Sequence, residues 1–431
     1  MFNTAFRLSS VVYIHEMKRG HVLDNQAVEV PNTAIKQKYL GAKGLAVLLA
    51  LLGAFIPLSI DMYLPALPGM AEALNASIAH VNLTLAIFFI FYAFSMLFWG
   101  PLSDKYGRKK ILRTGLAIYC FASIMCALSD TVSQLILFRA LQAVGGAGAT
   151  SVSMAIVKDV YHGRARETVL AAIQSMIILA PVIAPVLGAF ILTVTSWHGI
   201  FWTLVGFGVF AFVLSFLLEE TSKMEVQGNL IKVIGRLFVV LKNPGFSSLL
   251  LIFSVINIPF MAFIASSSYI YIDGFGLSEQ TYSYFYASNA VFAMLGPMLY
   301  LRLSSWFQRR SIIIVSLGGV VVGGVLILNF AHLSPWLMAL TIIPATICTM
   351  VIRPPSANLM LEQQESDTGS ASSLISFAGL TCGSIGMLLI SLDWPSYTFG
   401  LGILYITFGT ISSLSWLLIS RRSFVKQVAD R

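Results

Sequence analysis

Two ionisable residues lie deep inside long apolar stretches of the sequence. Asp61 belongs to the stretch 44–67, and Arg139 belongs to the stretch 132–157. Ionisable side chains are costly inside a lipid bilayer, so those that a membrane segment retains are candidates for function. Burial raises the pKa of a carboxyl group and a nearby cation lowers it, so a carboxyl group balanced between the two can bind and release protons. Asp61 is therefore a candidate proton carrier.

Arg139 keeps its charge at physiological pH, so it requires a cavity or a partner. A structural interpretation competes with the functional one for each residue. Asp61 could be a polar residue satisfied by water near the end of its helix, and Arg139 could brace backbone carbonyls or Gln142. Arg353 is the nearest equivalent in the second half of the chain, and we expect its side chain to extend toward the nearer membrane surface.

Hydropathy predicts the elements that carry these residues. The chain has 57% hydrophobic and only 11% charged residues, whereas soluble proteins carry about 25% charged residues. A transmembrane helix needs about 20 mostly apolar residues. Twelve stretches meet that requirement and none has the alternation of a membrane β-strand, which predicts an all-α polytopic membrane protein of about twelve transmembrane helices. The stretches are 44–67, 80–102, 110–129, 132–157, 166–192, 197–218, 246–272, 281–303, 311–330, 335–359, 369–391 and 396–420.

Helix breakers indicate where these stretches end, and basic residues indicate their orientation in the membrane. Pro65, Pro68 and Gly69 are expected to end the first stretch. Lysines and arginines occur in both tails and after stretches two, four, six and eight, whereas the connections after the odd-numbered stretches hold none. The connection after the tenth stretch fits this alternation least well, because it carries Glu362, Glu365 and Asp367 and no lysine or arginine nearer than Arg353. The positive-inside rule places both termini in the cytoplasm, and the net charge of +8 then requires no nucleic-acid partner.

The polar segment 219–245 is the longest internal connection, and it predicts two six-helix bundles, 44–218 and 246–420. Two bundles joined by a cytoplasmic linker are the plan of many secondary transporters. The tails 1–43 and 421–431 are expected to be cytoplasmic. The first tail lacks the uninterrupted apolar core of a signal peptide. Met17, which precedes Lys-Arg, is an alternative start site to Met1.

The connection after the second stretch carries a specific motif. Residues 100–110 read Gly-Pro-Leu-Ser-Asp-Lys-Tyr-Gly-Arg-Lys-Lys. Gly100 and Gly107 permit a tight reversal, and Asp104 can pair with Arg108 or with a helix N-terminus. The segment can therefore latch one end of a carrier and release it. The pattern resembles the signature loop of the major facilitator superfamily.

A second motif, in the fourth stretch, resembles the same superfamily. Residues 139–147 read Arg-Ala-Leu-Gln-Ala-Val-Gly-Gly-Ala. They are similar to the Arg-x-x-Gln-Gly motif of the family, with Ala143 in place of the first glycine. The resemblance associates Arg139 with proton coupling.

A third motif, in the fifth stretch, is similar to the antiporter motif of that superfamily. Residues 180–189 read Ala-Pro-Val-Ile-Ala-Pro-Val-Leu-Gly-Ala, and Pro181, Pro185 and Gly188 are its candidate functional residues. Small residues let helices approach closely and prolines supply kinks. The motif is therefore a place where two helices can rock against each other.

The first stretch indicates which family within that superfamily the chain resembles. Residues 61–68 read Asp-Met-Tyr-Leu-Pro-Ala-Leu-Pro, which resembles drug:proton antiporters of the Bcr/CflA type (bicyclomycin and chloramphenicol resistance). The resemblance covers about residues 44–420 and implies that Asp61 serves coupling and substrate recognition. Some related exporters carry a second acid about two turns earlier, where this chain has Gly53. The family also implies a monomer in the bacterial inner membrane that uses the proton gradient and no cofactor.

Family members bind substrate in a central cavity between the two halves. Polar and aromatic residues of the predicted helices are the candidates to line it here, although each also fits helix packing or an interfacial aromatic belt. The candidates are Tyr92, Gln142, Gln174, Asn257, Tyr269 and Asn289, with Asn82, Tyr271 and Tyr286 beside them.

The sequence therefore predicts a proton-coupled antiporter that exports drugs or other small molecules by alternating access. Export of an endogenous metabolite or siderophore on the same scaffold is the alternative, and the antiporter-like motif argues against a nutrient importer. An enzyme or a receptor is not expected. The six histidines and four cysteines form no metal-ligand or nucleophile–base pattern, and the linker is too short for a sensory domain. The expected partners are a small-molecule substrate, protons and the bilayer.

Overall fold

A computed structural model describes residues 37–222, 230–364 and 367–426, apart from the side chains of 230–234. The start site, the segment 223–229 of the linker, Glu365 and the residues after 426 lie outside this part of the chain. Within it are twelve long helices and a shorter linker helix, Leu230–Leu241. The long helices are α1 Gly41–Ala73, α2 Ile78–Tyr106, α3 Arg108–Ala127, α4 Val132–Val160, α5 Gly163–Val194, α6 Trp197–Ser215, α7 Pro244–Gly274, α8 Glu279–Leu303, α9 Arg309–Phe330, α10 Pro335–Glu362, α11 Thr368–Leu389 and α12 Tyr397–Ile419.

Eleven of the long helices in the described residues are long and apolar enough to cross a membrane. The exception is α8, which has 25 residues. Tyr282, Tyr286 and Asn289 lie on its buried face, whereas Val291 and Met298 are exposed on the opposite face. The polar groups of α8 thus point inward, and α8 supplies the twelfth helix that the sequence predicts.

The first helix continues past the prolines that are expected to end it. After a 3-10 turn at Leu64–Ala66, the chain is helical again to Ala73. Pro65 has no N–H and cannot bond to the carbonyl of Asp61, whereas Pro68 lies in the first turn of the next helical segment, where an N–H is not needed. The prolines therefore interrupt the hydrogen-bond ladder without ending the helix.

Helices α1–α6 precede the linker helix and α7–α12 follow it; we call these sets the first and second halves. In the first half α3 packs on α4 and α6, and in the second half α9 packs on α10 and α12. Two helix pairs join the halves, because α2 packs along α11 and α5 packs along α8. Residues that lie along these two pairs are therefore candidates to connect the halves.

The two ends of the helix bundle differ in charge. We call the end with the α2–α3 connection at Gly107 the basic end, because Lys105 and Arg108 flank this glycine. We call the opposite end the acidic end, because the connections there carry Asp130 and Asp393.

Candidate functional site

The hydrogen bonding of α1 becomes tighter directly after Asp61. The N–H of Tyr63 donates to the carbonyl of Ile60 at 3.1 Å. In a regular α-helix it would donate to Ser59, so this shift frees the Ser59 carbonyl. Arg139 Nη1 donates to that carbonyl at 3.0 Å. The irregular part of α1 thus supplies a partner for the buried arginine on α4.

Arg139 is fully buried and braced within the first half. Besides Ser59, its Nη1 donates to Gln142 Oε1 at 2.7 Å. The guanidinium carbon lies 4.3 Å from the ring centroid of Phe88 and 4.8 Å from that of Tyr63. Such cation–π contacts stabilise a desolvated cation by about 2 kcal/mol. Both partners of the structural interpretation, a backbone carbonyl and Gln142, are therefore present.

Gln142 belongs to this buried network. Its Nε2 donates to Ser123 Oγ at 2.8 Å, and its own side chain has no exposed surface. Ser59 Oγ lies 2.6 Å from the hydroxyl of Tyr119, which is a second contact of the network with α3. The structure thus places Gln142 inside the first half, where it holds Arg139.

Asp61 contacts the second half of the chain. Its carboxyl group is buried, and Oδ1 accepts a hydrogen bond from Tyr286 Oη of α8 at 3.0 Å. The Tyr286 ring stacks on Phe263 of α7, with ring centroids 6.3 Å apart and planes at 8°. In the described part of the chain, none of the four ion pairs includes Asp61 or Arg139. Asp61 is therefore a buried carboxyl group whose polar partner is a phenol on the opposite half.

The antiporter-like motif on α5 packs against the same part of α1. A Cβ at Gly188 would lie 2.1 Å from the carbonyl oxygen of Met62, the residue after Asp61. Pro185 is buried and Pro181 is half-buried, both within the continuous helix α5. Gly188 therefore allows the backbones of α5 and α1 to touch beside the carboxyl group.

Space around Gly53 bears on the number of acidic groups in α1. A Cβ at Gly53 would lie 2.9 Å from Ile173 Cγ2 of α5. A carboxyl side chain there would have to displace apolar packing, whereas Asp61 has a polar partner. The packing at position 53 therefore favours glycine over a second acid beside the helix α5.

The signature loop forms a charged cluster at the basic end. Arg108 pairs with Asp104 at 2.5 Å and with Asp159 of α4 at 2.8 Å. Glu220 accepts a hydrogen bond from the N–H of Arg108 at 2.8 Å, so it caps the N-terminus of α3. Gly107 has φ +94°, and a Cβ there would lie 2.7 Å from Glu220 Oε2. The glycine is thus required by its backbone conformation, and a larger residue would also displace the Glu220 carboxylate that caps α3.

Sequence reasoning identified Asp104 and Arg108 but missed Asp159 and Glu220. Both missed acids follow the ends of apolar stretches, at the same predicted end as the loop, which is the signal that could have found them. Gly100 has no atom within 4 Å of an added Cβ. Its surroundings therefore do not require a glycine.

The remaining cavity candidates lie in different environments. Tyr92 is mostly buried, and its hydroxyl lies 3.1 Å from Thr150 Oγ1. Gln174 is exposed on α5. Tyr269 and Asn289 are buried, and their hydroxyl and Oδ1 have no hydrogen-bond partner within the described residues. Asn289 lies three residues after Tyr286, on the same face of α8.

Hydrogen bonds join the two halves toward the acidic end. Asn82 Nδ2 of α2 donates to Ser391 Oγ, just after α11, at 2.9 Å. This bond lies beside the α2–α11 pair, and the Asp61–Tyr286 bond joins α1 to α8. The two bonds therefore connect the halves at two different places. At the basic end, the pair Arg309–Glu362 at 2.8 Å, like the Arg108 cluster, lies within one half.

Comparisons with known proteins concern the family and the fold of the chain. The family model described as Major Facilitator Superfamily matches residues 49–391. The chain is 27% identical to the uncharacterized MFS-type transporter YdgK of Bacillus subtilis, over 88% of this chain and 95% of that protein. It is 28% identical to a bicyclomycin resistance protein homolog of Haemophilus influenzae, over 80% and 88%. It is 37% identical to the multidrug resistance protein MdtL of Escherichia coli, over 38% and 42%.

Solved structures share the fold. A peptide transporter POT in complex with sulfate superposes with a TM-score of 0.71 at 16% identity, over 91% of this chain and 98% of that one. A D-xylose-proton symporter superposes with a TM-score of 0.70 at 14% identity, over 90% and 99%. At these identities the likeness concerns the fold alone.

Proposed function

The chain belongs to the Major Facilitator Superfamily, and from this premise we propose that it is a proton-coupled antiporter that exports small molecules, drugs in particular, across a bacterial inner membrane. The observation that carries the proposal is the buried carboxyl group of Asp61, hydrogen-bonded to Tyr286 across the two halves. A proton at this position changes a contact between the halves, which is what coupling requires. The names of the Haemophilus and Escherichia relatives support drugs as the cargo.

The chemistry of the bond suggests how a proton would act. A hydrogen bond to an ionised group contributes about 1.5–3 kcal/mol, whereas a neutral one contributes about 0.5–1.5 kcal/mol. Ionised Asp61 would hold the acidic end closed, and protonated Asp61 would hold it less firmly. An empty, deprotonated carrier would then remain closed at this end until substrate competes for Asp61 or Tyr286. Exchange of substrate for proton follows from that competition.

The environment of Arg139 gives it an indirect part in this scheme. It bonds to the carbonyl of Ser59, two residues before Asp61, and stacks on Tyr63, two residues after it. We propose that it fixes the backbone of α1 around the carboxyl group and adds a positive charge nearby. The carboxyl group then moves only with the whole helix.

We assign the basic end to the cytoplasm on the distribution of lysine and arginine. The acidic end, closed by the Asp61–Tyr286 and Asn82–Ser391 bonds, would then face the periplasm. We propose that the carrier in this arrangement receives substrate from the cytoplasm. The cluster around Arg108 would control closure of that end, and one monomer would suffice for the cycle.

Transport by the purified protein in liposomes tests the function directly. We expect radiolabelled chloramphenicol to accumulate against its gradient only when a proton gradient is imposed, and a protonophore to abolish the accumulation. Liposomes without protein give the background. Accumulation that is independent of the proton gradient would exclude coupling. Failure to transport chloramphenicol, together with loss of a secreted metabolite in a deletion strain, would favour the endogenous exporter.

Replacing Tyr286 by phenylalanine tests the bond between the halves. The variant keeps the ring that stacks on Phe263 but loses the hydroxyl, so we expect opening at the acidic end to be favoured by about tenfold or more. The measurement is the distance distribution between spin labels at Glu72 and Asp393, without substrate. Tyr284→Phe is the matched control, because Tyr284 is exposed on the same helix. Identical distributions for the two variants would show that the bond does not hold this end closed.

A further inference from the structure

A second arginine lies within a long helix and outside the network described so far. Arg353 belongs to α10, and the sequence suggests that its side chain extends toward a membrane surface. Instead, its Nη2 donates to Asn257 Oδ1 of α7 at 3.2 Å. Its guanidinium carbon lies 5.3 Å from the ring centroid of Phe260, also on α7. Arg353 is therefore held between two helices of the second half.

Arg353 is exposed, but it does not lie on the lipid-facing side of α10. Its side chain is exposed, yet Thr346, Met350 and Ser356, on the same side of the helix, are buried. Nine residues correspond to about 180° around an α-helix, and Pro344 is exposed on that opposite side. The lipid-facing side of α10 thus lies away from Arg353. The guanidinium therefore keeps accessible surface on the side of α10 that packs against other helices.

Asn257 orients the arginine. Its Nδ2 donates to the carbonyls of Phe253 and Ser254 at 3.3 and 3.2 Å, one turn earlier on α7. The amide is therefore fixed with its oxygen toward Arg353. Phe260 lies beside the guanidinium, so among the described residues one amide and one ring hold the group, and other N–H donors have no protein partner there. In the described part of the chain, no carboxylate forms an ion pair with Arg353.

We infer that Arg353 is a binding subsite for the carboxylate of an amphiphilic organic substrate. A cation within a membrane helix requires a counter-charge or water, and a guanidinium matches the two oxygens of a carboxylate. The half-buried Phe260 offers an apolar surface beside it for the body of the same molecule. The inference rests on the proposed transport function, and it names the substrate class.

A matched pair of dyes tests the inference by binding alone. Rhodamine 110 carries a free carboxyl group, and rhodamine 123 is its methyl ester on the same ring system. We expect the purified protein in lipid nanodiscs to bind rhodamine 110 more tightly in a fluorescence-polarisation titration. In Arg353→Gln, affinity for rhodamine 110 should fall about tenfold, as for loss of one hydrogen bond to a charged group. Affinity for rhodamine 123 should change less than about twofold.

Two further variants separate this effect from misfolding. Arg353→Lys keeps the positive charge but loses the paired N–H groups of the guanidinium. It should therefore retain an intermediate preference for rhodamine 110. Arg302→Gln removes an exposed arginine near the end of α8 and should leave both affinities unchanged. A wild-type protein without preference for rhodamine 110, or an equal loss for both dyes in Arg353→Gln, would overturn the inference.

The outcome is distinguishable from failure of the proposed function. Proton-driven chloramphenicol transport without a carboxylate preference would reject the subsite and leave the antiporter intact. A carboxylate preference in a protein that does not couple to protons would support the subsite and reject the antiporter.

Discussion

Asp61→Asn is expected to abolish proton-driven accumulation of substrate while leaving the protein folded and able to bind. Asparagine has nearly the shape of aspartic acid, and its side-chain oxygen can still accept the hydrogen bond from Tyr286. It cannot bind or release a proton, so the proton gradient can no longer drive substrate transport. Accumulation in liposomes under a proton gradient should fall to that of empty liposomes, whereas exchange of labelled for unlabelled substrate should persist.

The control is Asp130→Asn, which removes an exposed carboxyl group at the acidic end. It should accumulate substrate as the unmodified protein does. Full proton-driven accumulation by Asp61→Asn would rule out Asp61 as the coupling group. Loss of both accumulation and exchange would instead indicate that the carboxylate is needed for substrate binding, which the titration of dyes can check separately.

Much of the fold follows from sequence because lipid imposes strict requirements on it. Apolar segments of about 20 residues must be helical in a bilayer, which is why twelve stretches could be located from hydropathy. Glu279–Leu303 shows where hydropathy becomes weaker. It carries polar groups that face the interior of the protein, and among the described long helices it is the one that is not apolar enough to count as a membrane span by composition.

Helix ends within α1 were harder to predict. A proline normally marks the end of a helix because it removes one hydrogen bond. In α1 the chain passes Pro65 through tighter turns, and the Ser59 carbonyl that these turns free accepts a hydrogen bond from Arg139 on another helix. This compensation comes from α4, so the local sequence of α1 contains no sign of it.

The partner of Asp61 illustrates the limit for the site. Tyr286 is 225 residues away, and the sequence indicates only that it is an aromatic residue near a predicted helix start. A pattern was nevertheless present, because Tyr282, Tyr286 and Asn289 recur at intervals of four and three residues and so share one face of a helix. That pattern predicts an inward polar face, but the helix opposite it depends on tertiary packing.

Gly188→Ala is expected to disrupt the contact between α5 and α1 that lies beside Asp61. The added Cβ would lie 2.1 Å from the Met62 carbonyl oxygen and 3.1 Å from the Met62 Cα. Because backbone atoms cannot rotate away as a flexible side chain can, the two helices must separate. Overpacking typically costs about 1–3 kcal/mol, so the apparent Tm of a chain of this length should fall by about 1–3 °C. Proton-driven transport should fall with it, because separation displaces the segment that carries the carboxyl group.

Gly206→Ala is the matched substitution, since Gly206 lies within α6 and has no atom within 4 Å of an added Cβ. Alanine is favoured over glycine in a helix by about 1 kcal/mol, so this variant should be as stable as the unmodified protein or more so. Both substitutions add one methyl group, so the two variants differ only in what surrounds it. If both variants melt at the same temperature and transport equally, the backbones of α5 and α1 are not in close contact at Met62. The antiporter-like motif would then act without fixing the position of Asp61.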